Sequence, residues 1–537
     1  MARLSRLLSA VSLGIAATAA MAAVTIAAEY APVHRSPTHR AESADSARVI
    51  VKFRQRAAIL SASDSSTGSA AATQKAGILG NRLGLALTDG HALGERTQVI
   101  KASGMTSSAL AASISADSDV EWAEVDHRRY IQAAPVNDPL YPDALTAATP
   151  ASGQWYLRAP GVDSSGRNVI SSINIEPAWA ITHGSSAVVI GDVDTGITQH
   201  PDLDAKMLTG YDFVGYAETD AAHSADALAT ANDGSLADPD PSDPGDWITA
   251  AENSQIVNGV KGPFWGCNDN DKGGAVAANS SWHGTQTAGI LGAATNNGVG
   301  MAGTAYDVQI VPARALGKCG GWDSDIIAAA EWAGGIAVSG VPANAHPARV
   351  INLSLGSSGA CTQAYVDMLT ALRNKGVVVV AAAGNDEGLA VATPANCKPA
   401  ASDDQTPIVI AVAAVRHAGT KVGFSDIGPQ VTIAAPGGNC VLVATVAVPN
   451  PPCLYPILTT ANSGTTTPVA NGGIYTNAFG EVSLGTSFST PLVAGTVALM
   501  LSANPALSNA DIVRILQGTV RPFPTVSDAS PQPAVCT

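Results

Sequence analysis

From Gln154 onward, the chain alternates short apolar segments with segments of helix length, and this alternation limits the fold more than any other feature. The strand candidates are Val188–Val193, Val308–Pro312, Val350–Leu355, Val377–Ala383 and Ile408–Val412. Helix-length stretches such as Asp323–Trp332 and Ala364–Lys375 lie between them. Strand and helix in turn predict an α/β fold, with a parallel β-sheet flanked by helices. In such sheets, functional side chains gather at the carboxyl ends of the strands.

Composition excludes several classes of protein. Charged residues make up only 14% of the 537 residues and hydrophobic residues 46%, which excludes a largely disordered chain and a coiled coil. The net charge of −15 argues against nucleic acid as a partner, because phosphate binding needs clustered Lys and Arg.

The first 28 residues have the pattern of a secretory signal peptide. Arg3 and Arg6 form a positive start, and the stretch from Leu7 to Ala28 carries no charge and is rich in Ala. This pattern predicts a secreted, extracellular protein that leaves the membrane once the signal is removed. The stretch is also long enough to span a bilayer, so an uncleaved anchor is the alternative.

Changes in composition divide the rest of the chain into three parts. Residues 29–47 mix Pro, Ser, His and Arg without periodicity and indicate a linker. Residues 48–132 form a domain-sized block that contains the strand candidates Val49–Phe53 and Val120–Val125. A turn-rich stretch then opens the large region 133–537, for which we expect the α/β domain.

The cysteines favour disulfide bonds. Seven are present, at positions 267, 319, 361, 397, 440, 453 and 536, without a CxxC or Cys/His zinc pattern. Six cysteines allow fifteen pairings, among which sequence alone does not choose. Pairing sequence neighbours gives 267–319, 361–397 and 440–453 and leaves Cys536 over.

Four polar residues lie where chemistry is expected in this fold. Asp194 ends an apolar strand within Asp-Thr-Gly; His283 and Ser487 each stand where a helix begins; Asn385 follows a buried strand. Each has a plain structural alternative: a turn residue for Asp194 and Asn385, a structural histidine, and a helix N-cap for Ser487. An aspartic protease also uses Asp-Thr-Gly but needs two carboxylates that share a proton, and this chain has a single such motif.

Together, the four motifs resemble those of the subtilisin-like serine proteases, the subtilases. The order Asp, His, Ser matches that family, and the resemblance covers about residues 154–520. The motifs that carry it are DTGI at Asp194–Ile197, HGT at His283–Thr285, AAAGN at Ala381–Asn385 and GTSFSTP at Gly485–Pro491. The sequence departs from the family at Gln286, Phe488 and Ser489, none of which removes a catalytic group.

The resemblance implies a serine endopeptidase with defined roles for these residues. Ser487 would be the nucleophile, His283 the base, Asp194 its orienting partner, and Asn385 a donor to the oxyanion. The resemblance also implies two substrate-binding segments, Ser354, Leu355 and Gly356 on one side and Ala382, Ala383 and Gly384 on the other. The small residues in these segments predict that the pocket for the substrate side chain before the cleaved bond accepts large apolar side chains.

Residues 48–132 resemble the subtilase propeptide, a small α+β domain that inhibits the enzyme and helps it fold. The resemblance rests on RVIVKF at Arg48–Phe53 and VEWAEVD at Val120–Asp126. It implies that the protein cuts itself near Tyr130–Pro135. We therefore expect proteins, peptides and the chain's own propeptide as partners, and a monomer.

One acidic segment is a candidate calcium site. Asp233, Asp238, Asp240 and Asp243 crowd a loop rich in Gly and Pro, and Ca²⁺ prefers such oxygen ligands. Subtilases often carry calcium, which favours this interpretation; the alternative is a solvated acidic loop. Asn268, Asp269 and Asp271 form a weaker second candidate.

Two further function classes are alternatives to a protease. A non-catalytic adhesion protein on a protease scaffold would not need the intact motifs. An esterase would favour a G-x-S-x-G elbow, whereas Ser487 lies in GTSFS.

For the end of the chain, we expect either a truncated product or an exposed Cys536 thiol that forms dimers.

Overall fold

The computed structural model describes residues 47–61, 69–126, 136–142, 153–163, 166–218, 221–268, 273–399, 406–440, 453–477 and 481–524. The chain divides into two compact units, Met1–Arg129 and Tyr130–Thr537. Three predictions concern residues outside the described ranges: the signal peptide, the domain boundary between residues 132 and 133, and the state of Cys536.

The described part of the first unit contains a four-stranded antiparallel sheet and three helices. Its elements are β1 (Ala47–Phe53), α1 (Ala58–Ser61), α2 (Ser69–Leu83), β2 (Leu87–Ala92), β3 (Thr97–Ala102), α3 (Ser107–Ser115) and β4 (Val120–Val125), with the strand order β2-β3-β1-β4. Along β1, Val49, Val51 and Phe53 alternate with less buried residues, because one face of the sheet packs on the helices. The unit therefore has an α+β architecture.

The second unit is built on a parallel sheet of seven strands. Its strands are β5 (Gly161–Val162), β6 (Asn168–Val169), β7 (Val189–Asp194), β8 (Tyr211–Asp212), β9 (Ile256–Val257), β10 (Val260–Lys261), β11 (Gln309–Arg314), β12 (Val350–Leu353), β13 (Val378–Ala382), β14 (Ile410–Val415), β15 (Ile433–Pro436), β16 (Thr460–Asn462) and β17 (Gly473–Tyr475). The large sheet has the order β15-β14-β13-β12-β7-β11-β8, and all of its pairs are parallel. The predicted α/β class is confirmed.

Helices cover both faces of this sheet. They are α4 (Glu176–Trp179), α5 (Ala221–Ala231), α6 (Ala250–Asn253), α7 (His283–Gly292), α8 (Asp323–Ala333), α9 (Gln363–Asn374), α10 (Thr486–Ala503) and α11 (Asn509–Thr519), with a 3₁₀ turn at Asp204–Lys206. One core contains side chains of α7, α10 and α11, and the other those of α8 and α9. Because both faces are covered, all six residues of β7 are buried.

Two further features of the second unit bear on the predictions. The three disulfide bonds among the described residues join Cys267 to Cys319, Cys361 to Cys397 and Cys440 to Cys453, which confirms the pairing of sequence neighbours. In the described part of the chain, α10 alone has the length and apolar composition of a membrane span, and most of it is buried inside the protein.

Candidate active site

The site is built at the carboxyl ends of the central strands. Asp194 is the last residue of β7, and the turn that follows it is tight. Gly196 has a φ of +98°, and a Cβ atom there would lie 2.6 Å from the Pro241 carbonyl oxygen. Gly284 packs against the same turn, where a Cβ atom would lie 2.2 Å from the Gly196 oxygen. Gly284 therefore lets α7 approach the end of β7, and Gly196 lets the segment around Pro241 do so.

This approach brings His283 onto Asp194. Nδ1 of His283 lies 2.7 Å from Oδ1 and 2.9 Å from Oδ2 of Asp194. The Asp194 side chain is 1% exposed and that of His283 22%, so the ring contacts a buried carboxylate and still reaches solvent. Burial lowers the pKa of His283, but the Asp194 carboxylate outweighs burial and raises it to about 8.

Ser487 is the second residue of α10, where backbone N–H groups are not yet used within the helix. Its own carbonyl oxygen accepts a hydrogen bond of 2.7 Å from Ser354 Oγ. The ring of the next residue, Phe488, lies 5.6 Å from the His283 ring between centroids. The starts of α10 and α7 therefore face each other.

Asn385 lies beside the start of α10. Its Oδ1 atom accepts hydrogen bonds from Thr486, at 2.9 Å from the backbone nitrogen and 3.0 Å from Oγ1. Because these bonds occupy the oxygen, the Nδ2 amide is left to donate elsewhere. A donor beside the N-terminus of a helix suits a developing negative charge.

His283, Ser487 and Asn385 line one cleft of about 490 Å³. Of the six residues predicted to bind substrate, five line it: Ser354, Leu355, Gly356, Ala382 and Gly384. Ala383 does not, because it is fully buried in the core that contains α8 and α9. Sequence reasoning missed Ala392 and Thr393, which also line the cleft and carry no distinctive sequence signal.

The carboxylates of the acidic segment are hydrogen-bonded within the protein. Asp238 accepts from the backbone nitrogen of Asp240 at 2.7 Å, and Asp240 from that of Ser242 at 3.0 Å. These bonds fix each carboxylate on its own turn. Within the described ranges, no three His, Cys, Asp or Glu side chains are grouped to hold a metal ion.

The other two carboxylates of the segment are bound by the protein itself. Asp233 lies 2.8 Å from Nη1 of Arg314. Asp243 accepts a hydrogen bond of 2.8 Å from Thr195 Oγ1, next to Asp194, and burial raises its pKa to about 7. Each of the four predicted calcium ligands therefore has a partner within the protein, and calcium binding by this segment stays a prediction. Of the weaker candidate, Asp269 and Asp271 lie outside the described residues.

Comparison with known proteins identifies relatives of this chain. The model of the subtilase family matches residues 185–531. An extracellular protease of Xanthomonas campestris pv. campestris is 40% identical over 413 residues, which are 76% of this chain and 57% of that protein. An extracellular basic protease of Dichelobacter nodosus is 35% identical over 392 residues, 73% of this chain and 52% of that protein. The chain thus spans little more than half the length of these two relatives.

A solved structure also matches. That of a protease from Pseudoalteromonas arctica has a TM-score of 0.57 and 37% identity, and covers 74% of this chain and 95% of its own. The similarity thus extends over most of both chains.

Proposed function

The chain belongs to the subtilase family, and on that premise we propose that it is a secreted serine endopeptidase that acts through Asp194, His283 and Ser487. One observation carries the proposal: His283, on the cleft that Ser487 also lines, contacts the buried Asp194 carboxylate at 2.7 Å. The relatives named extracellular proteases support secretion, as does the charge pattern of residues 1–28.

In the proposed reaction, Ser487 Oγ attacks the carbonyl carbon of the peptide bond, and the serine proton passes to Nε2 of His283. Asp194 holds Nδ1, which fixes the ring and stabilises the imidazolium that forms. The same proton then goes to the leaving amine as the C–N bond breaks. Water hydrolyses the resulting acyl-enzyme, with His283 again as the base.

The oxyanion of each tetrahedral intermediate would lie between two donors, Asn385 Nδ2 and the Ser487 backbone N–H. Thr486 supports this role, because its bonds to Asn385 Oδ1 hold the carboxamide in one orientation. Preorganised donors of this kind stabilise the transition state more than the ground state.

The substrate chain would pair with the backbone of Ser354–Gly356 as an added strand. Small residues, Gly356, Ala382 and Gly384, line the cleft there and favour a large apolar side chain before the cleaved bond. A peptide library would show Phe, Leu or Tyr at that position; a preference for Lys or Arg would contradict the assignment.

We further infer that the first unit is a propeptide that inhibits the enzyme until self-cleavage removes it. The α+β architecture of residues 47–126 supports this role. The test is the intact mass of the purified wild-type protein beside Ser487→Ala. We expect loss of about 130 N-terminal residues from the wild type, given the proposed cut near Tyr130–Pro135, and retention of the unit in the mutant.

Ser502→Ala is the matched control. This serine lies in the same helix, with its hydroxyl bonded to the Ala498 carbonyl at 2.7 Å, and its loss should leave processing unchanged. Identical trimming of Ser487→Ala and the wild type would rule out self-cleavage by Ser487.

A further inference from the structure

A second buried carboxyl group lies beside the proposed triad, and the mechanism above does not use it. Asp192 is 4% exposed and precedes Asp194 by two residues on β7. Residues two apart on a strand point to the same face, so both carboxyl groups lie on the side of the sheet that α7 covers.

Asp192 joins three elements through side-chain hydrogen bonds. Its Oδ2 lies 2.8 Å from Thr287 Oγ1, one turn after His283 in α7. Its Oδ1 accepts from Asn352 Nδ2, on β12, at 2.9 Å. One carboxyl group on the strand of Asp194 is therefore tied to the helix of His283 and to the neighbouring strand.

The connection continues to Ser487. Ser354 Oγ donates its only hydrogen to the Ser487 carbonyl oxygen, so it can only accept from Asn352 Nδ2, at 3.0 Å. Both hydrogens of Asn352 Nδ2 are then used, for Ser354 and Asp192. Its Oδ1 is buried and finds no partner among the described residues, so the Nδ2 bonds fix the carboxamide.

The contacts of Thr287 favour a protonated Asp192. The Thr287 hydroxyl has one hydrogen but two acceptors within reach, Asp192 Oδ2 at 2.8 Å and the Gly284 carbonyl oxygen at 3.1 Å. With an ionised Asp192, Thr287 would have to share its one hydrogen between both acceptors. With a protonated Asp192 that donates to Thr287, Thr287 donates to Gly284 and each contact is a full hydrogen bond. Burial, and then the charge of Asp194, raise the pKa of Asp192, which agrees with this assignment.

We propose that Asp192 is a positioning residue, which in its protonated form holds together the elements that carry Asp194, His283 and Ser487. This role rests on the proposed protease function. The carboxyl group does not touch substrate or the reacting atoms; it acts on the start of α7 through Thr287 and on the Ser487 carbonyl through Asn352 and Ser354.

The same location couples Asp192 to His283. Among the described residues, the titratable groups that face His283 are Asp192 and Asp194 from β7 and Asp246, three residues after the acidic segment. All of them raise the pKa of His283 when ionised. Ionisation of Asp192 thus favours the imidazolium and delays the appearance of the neutral, active ring.

The test compares an isosteric with an apolar substitution in the full-length protein. Asp192→Asn reproduces the protonated group, because its amide donates to Thr287 and its oxygen accepts from Asn352; we expect kcat within about threefold of the wild type. Asp192→Val breaks both bonds at similar volume, and we expect kcat to fall about 10- to 100-fold with little change in KM. Thr287→Val should share that loss and Thr287→Ser should not.

A pH profile tests whether Asp192 is protonated in the active enzyme. In Asp192→Asn the acid limb of kcat/KM should stay at the pH of the wild type, because the carboxyl group that is replaced is already neutral there. Asp138→Asn is the control: Asp138 is also buried and bonded to backbone N–H groups, of Asn296 and Asn297, and its loss should lower Tm without moving that limb. A limb that moves to lower pH in Asp192→Asn would show that Asp192 is ionised, and this outcome, or a loss of kcat equal to that of Asp192→Val, would overturn the proposal.

One readout does not need activity. In the Ser487→Ala background, the downfield proton resonance of the His283–Asp194 hydrogen bond should persist with Asp192→Asn and broaden with Asp192→Val. An identical resonance in both variants would also overturn the positioning role. The resonance also separates the failure of this proposal from the failure of the protease function. If the wild type shows no hydrolysis that is lost in Ser487→Ala, the protease function fails, and the resonance still tests the positioning role.

Discussion

Two clusters of buried ionisable side chains lie side by side at the carboxyl ends of the strands of the large sheet. In the histidine cluster, Asp192 and Asp194 on β7 face His283. In the arginine cluster, Arg314 at the end of β11 contacts Asp212 and Asp233. Arg314 pairs in register with Asp194 across the two strands, so the clusters are neighbours.

The clusters differ in the cation that the carboxylates meet. His283 gains and loses its proton near neutral pH and is 22% exposed, whereas the guanidinium of Arg314 stays charged and is 1% exposed. Arg314 also donates to the Ala231 carbonyl. The first cluster is therefore suited to moving protons, and the second to fixing the acidic segment beside the cleft.

The largest expected effect is the loss of activity when His283, the titratable base of the histidine cluster, is removed. We expect His283→Ala to lower kcat at least about 10⁴-fold, because neither the nucleophile nor the leaving amine then has a proton partner. The measurement is hydrolysis of a peptide substrate by both proteins, after the first unit of His283→Ala has been cut away by an added protease that is then removed.

A matched change outside the cluster is His346→Ala, at an exposed histidine. It should leave kcat unchanged. Retention of more than about a tenth of the activity in His283→Ala would contradict the assignment, because triad members contribute far more than that.

The second effect is on stability and belongs to the arginine cluster. Arg314→Leu leaves the fully buried Asp212 carboxylate without its cation. We expect the free energy of unfolding to fall by about 3–5 kcal/mol. Denaturant unfolding in the Ser487→Ala background, which avoids self-digestion, measures it.

Arg314→Lys keeps the charge but lacks the planar group that reaches Asp212, Asp233 and Ala231 together. It should therefore be less damaging than Arg314→Leu. Equal stabilities of Arg314→Leu and the parent protein would show that the guanidinium does not hold the segment.

The third effect is the dependence of stability on pH that comes from His283 in the histidine cluster. The pKa of His283 is raised from 6.5 to about 8, so the folded state binds its proton more tightly than the unfolded state. The resulting stabilisation, about 2 kcal/mol, is complete below pH 6.5 and disappears as the pH rises through about 8. Activity should rise over the same range, because the base must be neutral.

The measurement is the difference in unfolding free energy between Ser487→Ala and the double variant His283→Ala/Ser487→Ala, from pH 6 to pH 9. Subtraction removes other titrating groups such as Asp243. A difference that stays constant, or grows with pH, would contradict the pKa of His283.

The contrast also shows what the sequence could reveal. The strands, the parallel sheet and the positions of Asp194, His283 and Ser487 followed from periodicity and short motifs, because these depend on local spacing. The role of Arg314 did not, since its contacts with Asp212 and Asp233 span 102 and 81 residues. Asp192 likewise looks like one more strand residue until Thr287 and Asn352 are placed around it.

The smallest expected effect is that of a chelator on the acidic segment. Since Asp233 is paired with Arg314 and Asp238 and Asp240 cap their own turns, the segment should keep its conformation without a metal ion. Asp238→Asn and Asp240→Asn should therefore have the same change in Tm with EDTA as the parent protein, in the Ser487→Ala background. A metal ion held by these carboxylates would instead make the parent lose more Tm than the variants, and would show that the arginine cluster alone does not fix the segment.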